Sequence, residues 1–291
     1  MRSGEAVTHT LSVFQSLWAM EDLPFRDLRW SLAEQVDRIA VAGFAGLAVD
    51  LGARRAPAAA DLAPLLRRSG LRSQVFCFVR DARDLDAALR YADTIGAEGI
   101  VVCGQVFPPA AEEAAVYVRG WLAMASAAGF PMQLETHRHT LTNDLAFTTR
   151  LLDAVPEVEL AADLSHYVVG NELPDGQDAR VDALVERVLA RAGSLQGRIA
   201  TRGQVQVSPS LPQHAAAVER FRGWWAAGMR SWRERHPDGG DLVFCCELGT
   251  TPYAITGVDG RELTDRWADA LLLRDWAREL FHATAPIGRT A

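Results

Sequence analysis

Short apolar runs alternate with longer stretches of helical period along this 291-residue chain, and that alternation constrains the fold more than any other feature. The runs lie at residues 11–18, 45–51, 73–79, 99–104, 132–137, 158–163 and 242–248, with a weak seventh in chain order at 197–201. Helical stretches are expected at 27–42, 59–68, 82–95, 110–128, 143–155, 179–192, 213–235 and 265–282. Strand-helix alternation of this kind builds a parallel sheet. The runs are continuously apolar, as in Ile100-Val101-Val102-Cys103 and Leu242-Val243-Phe244-Cys245-Cys246, which suits strands covered on both faces. No G-x-G-x-x-G follows the first run, so a doubly wound dinucleotide fold lacks its signature. The expectation is an α/β protein, one (β/α)8 TIM barrel spanning residues 8–284 as a single domain.

Charge and residue usage narrow the chemistry. The net charge of −7 argues against a duplex nucleic-acid partner, which needs a basic footprint. All 30 basic residues are arginine. Without lysine there is no Schiff base, no pyridoxal-phosphate anchor and no P-loop lysine. No stretch reaches the ~20 apolar residues of a membrane span, and the first ten residues hold no apolar signal core, so a cytoplasmic protein is expected. Cys77, Cys103, Cys245 and Cys246 form no C-x-x-C pair and sit within apolar runs, as buried reduced thiols do.

Barrel chemistry gathers at the C-terminal ends of strands. Three carboxylates end or nearly end apolar runs: Glu135 in Met132-Gln133-Leu134-Glu135-Thr136-His137, Asp163 after Glu159-Leu160-Ala161-Ala162, and Glu247 after Phe244-Cys245-Cys246. Strand alternation puts Gln133, Glu135 and His137 on one face. Carboxylates converging in a barrel mouth repel one another, and a divalent cation relieves that repulsion. Oxygen-rich ligation favours Mn2+ or Mg2+, while added histidine would admit Co2+ or Zn2+. Trp18 ends the first run and is a candidate pocket wall, with Tyr253 a further mouth residue. Arg138 and Arg198 are candidates for an anionic substrate group, and Trp224, Trp225 and Trp232 fall at helix-packing spacing.

The segments Leu134-Glu135-Thr136-His137, Asp163-Leu164-Ser165-His166 and Cys246-Glu247-Leu248-Gly249 resemble the strand-5, strand-6 and strand-8 motifs of the xylose-isomerase-like superfamily of sugar isomerases and epimerases. The resemblance runs from about residue 8 to 283. It implies one divalent metal ion held by Glu135, Asp163 and Glu247, with His166 binding substrate. The strand-7 motif departs from the family's His-x-Arg: here Gln196-Gly197-Arg198 stands in that place, with Gln206 downstream. Arg198 and Gln206 match, but the histidine ligand is replaced by Gln196. Three alternatives stay open: Gln196 as an oxygen ligand, His137 or His214 in its stead, or loss of the metal.

The resemblance also implies proton transfer, with Glu135 and Glu247 as base and acid across the substrate; from their positions in the sequence, His137, Arg198 and Trp18 are expected to contact it beside His166. The hydride-shift isomerases of the superfamily use a lysine, which this chain lacks. The expected activity is isomerisation or epimerisation of a sugar, keto-sugar or polyol through a metal-held enediolate, by a homo-oligomer with a small carbohydrate-like partner. The alternatives are dehydration of a keto-polyol, and a barrel that has lost metal chemistry and serves as a binding protein.

Overall fold

The structure is a computed structural model and describes residues 8–250 and 252–285. Eight parallel strands close into a barrel: β1 (His9–Ser16), β2 (Gly46–Asp50), β3 (Arg72–Val79), β4 (Ile100–Gly104), β5 (Met132–Glu135), β6 (Glu159–Ala162), β7 (Ala192–Gly197) and β8 (Gly240–Cys246). Each pairs with its neighbours in chain order, and β8 returns to β1 in register from His9↔Gly240 to Gln15↔Cys246. Around them lie α1 (Leu32–Val41), α2 (Ala59–Ser69), α3 (Ala82–Ile95), α4 (Ala111–Ala127), α5 (Leu145–Ala154), α6 (Ser165–Gly170), α7 (Ala179–Leu189), α8 (Ala215–Arg235) and α9 (Arg266–Ala283). The expected (β/α)8 barrel is what the chain forms.

Local chemistry sets the helix starts. Ser31 and Glu34 form a reciprocal capping box on α1. Asp81, Asp144, Asp178 and Asp265 each accept backbone N–H groups at the starts of α3, α5, α7 and α9. The first helix therefore begins after Ser31 rather than at residue 27, and residues 24–29 form a small antiparallel ribbon instead. Among the described residues no helix is long and apolar enough to cross a membrane.

Alternation divides the strand side chains into two cores. Leu47, Val49, Val75, Leu134, Leu160, Leu195 and Phe244 join the large cluster between strands and helices. Phe14, Ala48, Phe76, Val101, Ala161, Val243 and Cys245 form a separate cluster inside the barrel. That plug leaves the C-terminal ends of the strands as the place where inward positions can be polar.

β7 lies at 192–197, not at 197–201, and the expected helix ending at 192 stops at Leu189. The reason is compositional. Ala-Gly-Ser-Leu-Gln-Gly carries one large apolar side chain, so it shows no hydrophobic run. Its small residues are needed: a Cβ at Gly193 would lie 2.4 Å from Gln133 Nε2 and 2.5 Å from Glu159 Oε2. Packing from α8 supplies the missing apolar area. Trp225 is buried, meets Phe244 edge-on at 5.2 Å, and donates from Nε1 to the Gln196 carbonyl at 3.1 Å. Trp225→Ala is expected to destabilise the protein by about 3–5 kcal/mol in urea denaturation, since it opens a cavity and orphans that carbonyl.

Candidate active site

The strand ends bring the expected carboxylates together. Glu135 is the last residue of β5, while Asp163 and Glu247 immediately follow β6 and β8, and all three are buried. One carboxylate oxygen from each lies within 4.8 Å of the others, close enough to share a cation. Local contacts fix each one. Thr136 Oγ1 accepts from the Asp163 N–H and donates to its carbonyl, which locks the β5 and β6 ends together. Asp163 Oδ1 accepts from the Ser165 N–H at 2.8 Å, and Oδ2 accepts from Arg198 Nε at 2.9 Å. Glu247 Oε1 accepts from Trp18 Nε1 at 2.8 Å. Cys103 Sγ donates to Glu135 Oε2 at 2.7 Å.

Burial first, then the Glu247 and Asp163 charges, push the Glu135 carboxyl well above the usual carboxylate range. Burial likewise pushes Glu247 up to about 7, with Arg198 opposing the shift. The trio therefore holds more negative charge than its surroundings stabilise, although one cation is already present. Arg198 is buried, pairs with Asp163 through Nε and Nη2, and places Nη1 4.0 Å from Glu247 Oε1. The arginine expected to contact substrate thus sits within the carboxylate cluster and orients Asp163.

Gln196 occupies an inward position of β7, since Leu195 beside it packs outward on α8 near Gly228. It is buried, and neither Gln196 Oε1 nor Nε2 has a hydrogen-bond partner; Glu247 Oε2 is buried and unpartnered as well. Buried polar atoms without partners are costly. An acceptor set of carboxylate and amide oxygens, two of them unsatisfied, fits a hard divalent cation.

His137 and His166 flank this cluster, with ring centroids 3.9 Å apart, and together with Glu135 they form a second group that could hold a metal. His137 lies past the end of β5 rather than on it. Burial, then Arg198, drives the His137 imidazole down to about 3. Burial, then Arg198, His137 and Arg138, holds His166 well below its usual value. Both rings are neutral at neutral pH. Both His166 nitrogens face arginine donors, Nδ1 facing Arg138 Nη1 at 3.1 Å and Nε2 facing Arg198 Nη2, and a neutral ring accepts from one of the two.

A cavity of about 290 Å3 opens above the cluster, and Trp18, Asp50, Phe78, His137, Arg138, His166, Arg198, Glu247 and Tyr253 line it. Trp18 belongs to a 3-10 turn just past β1, not to the strand. Its indole covers Gly249, where a Cβ would lie 1.8 Å from the ring, and it meets Tyr253 edge-on at 5.7 Å. Gln206 clamps the β8 loop by bonding both the carbonyl and the N–H of Gly249. His214 does not line the cavity; its Nδ1 bonds the Ser208 carbonyl. Trp224, Trp225 and Trp232 pack in the main core, as their spacing suggests.

Sequence reasoning missed Asp50, Glu21 and Cys103. Asp50 ends β2, and burial pushes it up to about 6. It closes an apolar run just as Glu135 does, so the rule that found the trio applies to it equally. Glu21 and Cys103 carried no such signal: the first lies in an irregular turn and the second inside an apolar strand.

No family model and no curated protein matches the chain. Solved structures do. An L-ribulose 3-epimerase aligns at 16% identity with a TM-score of 0.59, over 94% of this chain and 95% of that one. A D-allulose 3-epimerase from Methylomonas sp., in complex with D-allulose, aligns at 15% and 0.59 over 96% and 99%. A xylose isomerase-like TIM barrel protein from Mycobacterium smegmatis, in complex with magnesium, aligns at 15% and 0.58 over 94% and 98%. At such identities the likeness is one of fold, and by that measure this chain has the fold of the xylose-isomerase-like TIM barrels.

Proposed function

We propose that this protein is a divalent-metal-dependent isomerase or epimerase of a sugar, keto-sugar or polyol, acting by proton transfer next to a carbonyl. The observation that carries the reading is the convergence of Glu135, Asp163 and Glu247 from three strands, with the unpartnered Gln196 Oε1 on a fourth. The similar folds bearing epimerase names support the substrate class. Glu135, Asp163, Gln196 and Glu247 would hold the cation, which when bound supplies Lewis-acid polarisation of a substrate carbonyl. An all-oxygen set favours Mg2+ or Mn2+; recruitment of His137 would admit Co2+ or Zn2+.

The chain's own groups account for the rest. Glu247 and Glu135 are carboxyl groups on different strands at the base of the cavity, placed so that one can take a proton from carbon and the other return one. Asp163 is held in place by Arg198 and the Ser165 N–H, so it serves to anchor rather than to shuttle protons. Neutral His137, whose Nδ1 bonds the Arg138 carbonyl, keeps Nε2 to accept from a substrate hydroxyl without adding charge. Trp18 walls the cavity and aims Glu247 through its indole N–H.

Dehydration of a keto-polyol is the second reading. A protein described as the probable 3-DHS dehydratase AsbF, from Bacillus anthracis, shares the fold at 14% identity and a TM-score of 0.53. Loss of a hydroxyl next to an enolised carbonyl would use the same carboxyl groups.

Three outcomes follow. Protein purified without chelator should contain about one divalent metal ion per chain by mass spectrometry, and Glu247→Gln should lose it; a metal-free wild type that takes up none on titration would sink this reading. Ketoses incubated in D2O should exchange the proton next to the carbonyl, with Glu135→Gln slower by about 100-fold or more. Chelator-treated protein should melt higher as pH falls from 7.5 to 5.5. Glu247 binds its proton more tightly folded than unfolded, so its destabilisation appears as pH rises from its unfolded value, near 4.5, through about 7. Scanning calorimetry checks this, and Glu247→Gln should flatten the response.

A further inference from the structure

We propose that the substrate carries a carboxylate, and that Arg138 at the cavity mouth is the residue that selects it. The inference rests on the reading of this cavity as a substrate site and adds the chemical class of its ligand.

Arg54, Arg138 and Arg198 are the arginines of the cavity wall. Arg198 is spent on Asp163, and Arg54 pairs with Glu21 and Asp22. Arg138 differs. Its hydrogen-bonding neighbours are neutral: Nη1 meets His166 Nδ1 at 3.1 Å and Nη2 donates to the Tyr253 hydroxyl at 3.2 Å. Among the described residues it forms no ion pair, so its charge is uncompensated while three of its five N–H groups stay free.

The guanidinium is also held in place. Its loop is tied by His137 N–H to Thr142 Oγ1, Thr142 Oγ1 to the Glu135 carbonyl, and Thr140 Oγ1 to the His137 carbonyl. The Tyr253 ring lies 5.6 Å from the guanidinium carbon. A cation fixed by neutral partners with a free donor edge is preorganised for an anion.

The two ends of the cavity differ in sign. In a ring of eight strands, the turn after β1 and the end of β2 lie across from the loop after β5. Glu21 and Asp50 line the first side, and Arg138 the second. Acceptors suited to hydroxyl groups therefore face a donor suited to an anion, with Glu135 and Glu247 at the base between them. A polyhydroxy acid has that polarity along its length. One guanidinium can hold two oxygens of either anion, but a carboxylate has no third oxygen that needs a further donor, so it fits a lone Arg138 better than a phosphate ester does. Phosphate sites in barrels recruit a helix N-terminus and further donors.

The test is calorimetric titration of the magnesium-loaded protein with D-gluconate, D-glucitol and D-glucitol 1-phosphate, which share a six-carbon chain and differ only at C1. D-gluconate should bind about tenfold or more tighter than D-glucitol. Arg138→Gln should bring that ratio close to one, and Arg138→Lys should keep part of it, with melting temperatures of both variants reported as the folding control. Equal affinity for D-gluconate and D-glucitol in the wild type, binding of neither, or a ratio that survives Arg138→Gln would overturn the assignment. Tighter binding of the phosphate ester than of D-gluconate would overturn the choice of carboxylate. A protein that holds metal and exchanges protons but prefers D-glucitol would refute this inference alone. One that prefers D-gluconate but holds no metal would refute the isomerase reading alone.

Discussion

The candidate site depends on one electrostatic constraint: three carboxylates meet in a buried space at the end of a closed barrel. Glu135, Asp163 and Glu247 arrive on separate strands whose register is fixed by the closure of the sheet, so none can move away without disturbing the ladder. Arg198 offsets part of their charge and holds Asp163 in place. The remainder shows as raised carboxyl proton affinities at Glu135 and Glu247. Proton uptake or a divalent cation would each relieve the same repulsion, and the site is poised between the two.

The architecture beneath explains why that charge can be tolerated. Phe14, Phe76, Val101 and Val243 fill the barrel interior, so the carboxylates rest on an apolar floor rather than on a water channel. Burial raises the proton affinity of Glu135 and Glu247 and strengthens the interactions within the cluster. The threonines at the strand ends satisfy the local backbone, with Thr136 and Thr142 serving β6 and β5. Gln196 Oε1 and Glu247 Oε2 are buried acceptors without partners, and both suit a hard divalent cation.

Above the cluster the cavity mixes aromatic walls with charged ends. Trp18 links wall and cluster, because its ring lies over Gly249 while its N–H holds Glu247. The β8 loop owes its course to that close approach and to the Gln206 clamp, two contacts that draw on residues far apart in the chain. Specificity on this reading would come from the loops, and proton transfer from the strand ends, the division of labour that barrel folds permit.

The sequence by itself determined the barrel, because strands covered on both faces must be continuously apolar and their alternation with helices leaves few topologies. It also determined the carboxylate trio, because a charge that ends an apolar run falls at the strand mouth, and Asp50 obeys the same rule. Only the tertiary structure decided where β7 runs, since Ala192–Gly197 is small and polar and gains its apolar cover from α8. Only it decided that Arg198 pairs with Asp163 while Arg138 faces the cavity with neutral partners. Both arginines follow strand ends in the sequence. Which one is neutralised depends on distances between side chains of different strands, and no local pattern encodes those.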